Sequence, residues 1–173
     1  MNKPHVTHNS GNNEWYTPAP IIEAARQVML EIDLDPASCT LANQTVRATE
    51  CYTAEINGLL QDWRGRVWLN PPYSRDLCGA FIDKLLQERR DLRVTDACLL
   101  TNNATDTQWW QAAARQASAI CFLYKRVKFY KPGSASASPL QGQTVMFFTR
   151  NQLALCRFNS EFRNLGMVME HYR

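Results

Sequence analysis

Histidine is scarce in this 173-residue sequence, and His5, His8 and His171 all lie near its ends. A histidine-centred base or metal site would have to be assembled from tails, and none is expected. Cysteine occurs six times, at 39, 51, 78, 98, 121 and 156, but no two are closer than twelve positions and no CxxC or Cys/His cluster exists. That spacing excludes the usual zinc patterns and favours reduced, mostly buried thiols in a cytoplasmic protein. Apolar runs such as residues 97–100 and 145–148 fall far short of the ~18 residues a membrane helix needs. Residues 1–13 hold no apolar core of the kind an export signal has and read as a flexible polar lead-in. With 7 Gly, 8 Pro, 45% hydrophobic and 20% charged residues, the chain lies outside the disordered and fibrous classes. At ~100–200 residues per domain, one domain over 14–173 is expected.

Charge is divided along the chain. Residues 1–114 carry 10 Lys and Arg against 14 Asp and Glu, whereas residues 115–173 carry 9 against 2. A basic lobe joined to a mildly acidic one points to a polyanion on the C-terminal third and another ligand elsewhere.

Apolar periodicity predicts alternating elements. Pro18 and Pro20 open a helix over about 19–31, whose buried face is Ile21, Ile22, Ala25, Val28 and Met29. A short strand at 32–35 is stopped by Pro36, and residues 38–62 show little periodicity. RVWL at 66–69 reads as a buried strand that must end at the double proline 71–72. A helix to about Arg90 follows, then a strand near 95–100, a helix bearing Trp109 and Trp110, and strands at 119–123 and 144–149. A helix stopped near Gly166 and a last short strand complete the pattern, with a Gly/Ser/Ala/Pro-rich loop at 131–142. Such alternation predicts an α/β fold, a mostly parallel sheet with helices on both faces, and ligands beyond the carboxyl ends of its strands.

Asn70-Pro71-Pro72-Tyr73 stands at such a carboxyl end. Successive prolines fix the backbone and remove two N–H donors, so nearby carbonyls become unopposed acceptors. The Asn70 amide oxygen and the Pro71 carbonyl make two acceptors for an exocyclic NH₂ group. The Tyr73 ring can stack on the planar ring bearing that amine. Taken alone, the tetrapeptide is equally a strand-ending proline turn.

Its surroundings carry a resemblance. EWYTP (14–18), DLDPAS (33–38), YTAEINGLLQDW (52–63), RVWLNPPYS (66–74), TDTQWW (105–110) and FLYKRVKF (122–129) resemble, in order, the phage-type, Dam-like DNA N-6-adenine methyltransferase family. The resemblance implies a Rossmann-like class I fold, S-adenosyl-L-methionine as cofactor, and methylation of a flipped-out adenine N6 in double-stranded DNA. It further implies a phage or prophage origin, a role in restriction-modification and a place in the host cytoplasm, with no membrane or obligate protein partner. Carried over by position, Tyr16, Thr17, Pro18, Asp35, Pro36 and Ala37 hold the methionine end of the cofactor, with Asp35 on its ammonium. Asn57 and Asp62 take its ribose and adenine, Trp63 forms an apolar wall, and Asn70, Pro71, Pro72 and Tyr73 form the catalytic loop. Two features depart from the pattern. No glycine-rich turn follows the first strand, and 35 positions separate Asp35 from Asn70, few for two intervening strands.

Lys125, Arg126, Lys128, Phe129, Tyr130 and Lys131, with Tyr124 before them, suit phosphate contacts and base stacking. The resemblance sets Arg126 and Phe129 on the target side of the pocket. N4-cytosine methylation, an RNA or glutamine acceptor, and a non-catalytic nucleic-acid-binding module stay open. No metal is implied.

Overall fold

The computed structural model describes residues 16–130 and 141–171, together with only the backbone of Arg75. Lys131, the lead-in 1–13 and most of the 131–142 loop lie outside the described residues.

Seven strands form one sheet. They are β1 (Leu34–Asp35), β2 (Glu50–Cys51), β3 (Gly65–Leu69), β4 (Val94–Asn102), β5 (Ala119–Leu123), β6 (Gln143–Phe148) and β7 (Gly166–Glu170), in the order β2-β1-β3-β4-β6-β5-β7. β2, β1, β3 and β4 pair in parallel, whereas β6 is antiparallel to β4 and to β5, and β7 is antiparallel to β5. Five strands therefore share one direction, as the alternation implied, while β6 and β7 run against them. β6 inserts between β4 and β5, so the C-terminal half is antiparallel, a pairing that hydrophobic alternation does not encode.

Side chains alternate across the sheet. Trp68, Cys98, Leu100, Val145 and Phe147 face α1 (Ala19–Met29) and α5 (Gln152–Phe162). Val67, Leu69, Ala97, Leu99, Met146 and Phe148 face α3 (Arg75–Arg90) and α4 (Gln108–Gln116). This period of two, on strands buried on both sides, is why β3, β4 and β6 read as continuous apolar runs. In α4, Trp110 is buried and Trp109 half-buried, as adjacent helical positions require.

The stretch 38–62 condenses into three small elements: α2 (Thr40–Val46), β2, and a 3-10 turn at Gly58–Leu60. A single two-residue strand thus fills the interval that seemed short for two. At the amino ends of β1 and β3, Arg66 clamps Asp33. Its Nε donates to Oδ2 at 2.8 Å and its NH2 to Oδ1 at 2.7 Å, while its backbone N–H reaches Oδ2 at 2.7 Å. This pairing holds the Asp33 carboxyl below the usual carboxylate range, chiefly through the Arg66 hydrogen bond.

Candidate active site

β1 connects to β2 on one side, and the chain then returns to β3 on the other. Where strand order reverses in this way, the loops diverge and leave a crevice beyond the strand ends. A cavity of about 690 Å³ occupies that position. Its floor and walls come from residues 35–42 after β1, Tyr52 and Thr53 after β2, and Asn70 and Pro72 after β3.

Asp35 ends β1 and is buried. Its Oδ1 accepts the Ala37 N–H at 3.2 Å, and no Lys or Arg among the described residues pairs with it. Burial pushes its carboxyl up to about 6, against the opposing effect of Ser38 and the Ala37 amide. A buried carboxylate without a cation is costly, and an incoming ammonium would relieve it. Thr17, also buried, presents an Oγ1 that makes no hydrogen bond among the described residues. A large concave space with a few convergent, unsatisfied polar groups has the make-up of a small-molecule site.

Of the residues expected to hold a cofactor, Tyr16, Thr17, Asp35, Pro36, Ala37 and Asn57 line this cavity. Pro18 does not, because it caps α1. Asp62 lies outside, exposed and beside Arg64, and its backbone oxygen accepts from Oη of the cavity residue Tyr52 at 3.1 Å. Burial, more than the nearby acids, pushes the Tyr52 hydroxyl up to about 12. Trp63 is fully buried rather than a wall, and its Nε1 donates to Gly58 O at 2.7 Å. Neither Asp62 nor Trp63 is among the residues lining the cavity. An indole wedged behind the chain cannot also face the ligand, but it does press the 57–58 turn onto Pro36. A Cβ at Gly58 would lie 2.0 Å from the Pro36 carbonyl oxygen, so only glycine closes this part of the cavity. Asn57, at φ 55, caps the 3-10 turn through Oδ1 to Leu59 N at 3.2 Å.

Sequence reasoning left Cys39, Tyr52, Thr53 and Phe81 without roles, yet all line the cavity. Tyr52 and Thr53 open the YTAEINGLLQDW block, which was the available signal. Cys39 has none, because its place depends on the cap it forms on α2, with the Ala42 N–H donating to Sγ at 3.4 Å.

The Asn70-Pro-Pro-Tyr loop joins the cavity at the end of β3. Asn70 and Pro72 line it, and Pro71 is buried beneath. Tyr73 is not among the residues lining the cavity. Its ring is half-buried against both apolar cores, and its hydroxyl turns inward to donate to Asn70 Oδ1 at 2.9 Å, with Leu100 O at 3.4 Å. Burial holds that phenol well above its ordinary value.

The basic segment sits next to this loop. Phe129 meets the Tyr73 ring edge-on at 6.2 Å, while Tyr16 and Tyr130 form an antiparallel bridge and an edge contact at 5.7 Å. Buried Val127 and Phe129 alternate with exposed Arg126 and Lys128, and Lys125 is exposed as well. Phe129 is buried in the core, and Tyr130 is half-buried with its hydroxyl 2.8 Å from Thr45 Oγ1. Gln143 anchors the segment by accepting the Val127 N–H at 2.7 Å and donating to Asn102 Oδ1 at 3.2 Å.

Comparison with known proteins agrees with these features. The profile of the DNA N-6-adenine-methyltransferase (Dam) family matches residues 5–165. A protein of Escherichia phage T1, a DNA N-6-adenine-methyltransferase, is 29% identical over 112 residues, covering 63% of this chain and 44% of that protein. The chain thus spans less than half the length of that relative. With the family profile covering nearly all of it, from before the Tyr16 block to beyond α5, the chain belongs to the DNA N-6-adenine-methyltransferase (Dam) family.

Proposed function

We propose that this protein is an S-adenosyl-L-methionine-dependent methyltransferase acting on adenine N6 in double-stranded DNA, in one Rossmann-like class I domain. The observation that carries this reading is that Asn70 and the buried Asp35 line one cavity at the strand-order reversal. The phage T1 relative extends the reading to a phage or prophage origin.

The residues fit that cofactor. Asp35 would take its ammonium group, Thr17 its carboxylate end, and Tyr16, Pro36 and Ala37 its methionine chain, with Asn57 nearer the sugar. When bound, it would supply an electrophilic methyl: the N6 lone pair would form the N–C bond as the C–S bond broke, leaving a neutral thioether, and the methylated nitrogen would lose one proton to solvent water. The chain's own part is placement. Adenine N6 is a poor nucleophile because its lone pair is delocalised into the ring. Asn70 Oδ1 and the Pro71 carbonyl accept its two N–H bonds and favour the more tetrahedral nitrogen of the transition state. The target must leave the base stack to reach this loop. Exposed Lys125, Arg126 and Lys128 hold the phosphate backbone beside it.

The test is transfer of labelled methyl from the cofactor to unmethylated duplex DNA, followed by digestion and mass identification of nucleosides. N6-methyladenine is expected. Asn70→Ala should lower transfer by at least about 100-fold and leave cofactor binding intact by equilibrium dialysis. Label in N4-methylcytosine, or in no DNA base, would overturn the assignment.

A further inference from the structure

We infer that Gln143 is a positioning residue for DNA: its buried carboxamide pre-orders the basic segment, so that Lys125 and Lys128 meet the phosphate backbone without first having to be fixed in place. The inference rests on the double-stranded DNA reading above.

Gln143 opens β6, and the alternation of that strand sets it on the same face as Val145 and Phe147. It is fully buried, which is unusual for glutamine, and a buried amide is costly unless its polar atoms find partners. All of its partners lie at strand ends or in the connections beyond them. Oε1 accepts the Val127 N–H at 2.7 Å, while Nε2 donates to Gln141 O at 2.7 Å and to Asn102 Oδ1 at 3.2 Å. These backbone partners admit one orientation of the amide. Reversed, Nε2 would meet the Val127 N–H, donor against donor, and Oε1 would meet the Gln141 carbonyl, acceptor against acceptor.

The two ends of the amide serve different segments. Nε2 holds a corner that is already stitched, since the Asn103 N–H donates to Gly142 O at 2.9 Å, Thr144 Oγ1 bonds Asn103 Oδ1, and β4 pairs with β6 from Asn102 and Gln143 inward. Oε1 extends that rigidity to a stretch without a strand or helix of its own, residues 126–129. On either side of it, the Tyr124 N–H donates to Leu165 O at 3.0 Å and the Tyr130 N–H to Tyr16 O at 3.2 Å. Val127 lies between these two points with its side chain buried, and Lys125 and Lys128 are exposed to either side of it. A span pinned at both ends and near its middle holds its lysines in one arrangement. Without the Gln143 bond, the span would have to be ordered at the moment of binding, which weakens affinity.

Gln143→Met keeps the length of the side chain and removes these bonds. DNA affinity, read by filter binding at fixed salt, should fall about tenfold, the cost of ordering the span on binding. The slope of log affinity against log salt should not change, because both lysines still reach phosphate once bound. Gln143 does not line the cavity, so cofactor affinity should stay within about twofold. With Lys125 and Lys128 both replaced by Ala, adding Gln143→Met should cost less than about twofold, since the span then presents neither lysine to DNA. Unchanged DNA affinity, a slope that falls in Gln143→Met, or an equal penalty in both backgrounds, as a purely structural residue would give, would overturn the inference. Should Gln143→Met fail to fold, hydrogen exchange on the wild type decides. The Val127 amide should already be slow in the free protein and change less than about threefold on adding duplex DNA. Strong new protection on binding would mean that DNA, and not Gln143, orders the segment. A wild-type protein that does not bind duplex DNA would remove the DNA reading and this inference with it, a failure visible before any variant is compared.

Discussion

β1 and β2 are two residues long and meet their neighbours over one or two register pairs, whereas β4 and β6 run nine and six residues and face each other at six positions. The short parallel strands release their chains early into loops, and those loops surround the cavity. The long antiparallel strands are buried along most of their length and carry the core. Electrostatics divides similarly. The cavity side presents a carboxylate, Asp35, that pairs with no Lys or Arg among the described residues, and the basic segment after β5 presents exposed cations. The contrast shows how one sheet can be stable at its middle and receptive at the end where its order reverses. The cost is that β1 needs outside support, which the Arg66–Asp33 clamp supplies.

The sharpest way to break this division is to neutralise the cavity. Asp35→Asn should weaken cofactor binding by at least about 30-fold, the scale of removing one partner of a buried charge pair, and leave DNA affinity unchanged by filter binding. The pH dependence has a definite sign. Burial raises the Asp35 carboxyl in the folded, ligand-free protein from 3.8 to about 6, so it is neutral in mild acid and charged at neutral pH. Cofactor affinity measured calorimetrically should therefore rise from about pH 5 to about pH 7 and flatten in Asp35→Asn. In the ligand-free protein, this same ionisation costs stability. The cost is absent below 3.8 and complete above about 6, so Asp35→Asn should melt higher than the wild type at neutral pH.

A smaller effect tests the support of β1. Arg66→Ala should lower unfolding stability by about 2 kcal/mol, the range for hydrogen bonds to a charged group, as read by denaturant titration. If the clamp serves the cavity in particular, local opening around β1 should increase in hydrogen exchange while β4 and β6 stay protected. Uniform loss of protection would erase the contrast between the two halves.

The smallest expected effect lies on the basic side. Replacing both Lys125 and Lys128 by Ala should weaken DNA binding and reduce the slope of log affinity against log salt by about 2, one unit for each phosphate no longer neutralised. Cofactor affinity should not change. An unaltered salt slope would move the DNA interface away from this segment.

Where apolar positions recur over enough residues, the elements could be read directly. α1, β3 and β5 lie close to their expected bounds, and α4 bears Trp109 and Trp110 as expected, because each presents at least one buried face of useful length. α2 escaped notice because Val46 is its only buried residue, and β2 because two residues hold no period. The helix expected to stop near Gly166 ends at Phe162, and Gly166 begins the expected last strand, β7, where a Cβ would come 2.3 Å from the Phe122 carbonyl oxygen, a constraint set by a strand far away in sequence. The site was legible to the same degree. Asp35 ends one strand, Pro36 follows it and Asn70 follows another, and the sequence marks both strand ends with proline. The burial of Trp63 and Phe129 was not legible, because an aromatic suited to a pocket is equally suited to the core, and only its neighbours decide.

The sequence by itself determined the order of its chemistry: an acid after one strand, an amide and two prolines after another, and cations after a third. These are local facts, since proline ends a strand wherever it stands and charge is additive along a chain. Tertiary structure alone decided that the first two meet in a single cavity, that β6 runs antiparallel between β4 and β5, and that the Tyr73 hydroxyl points at Asn70 rather than outward. Those outcomes depend on pairing between segments distant in the chain, where burial, register and the need to satisfy buried polar groups act together and no single residue carries the information.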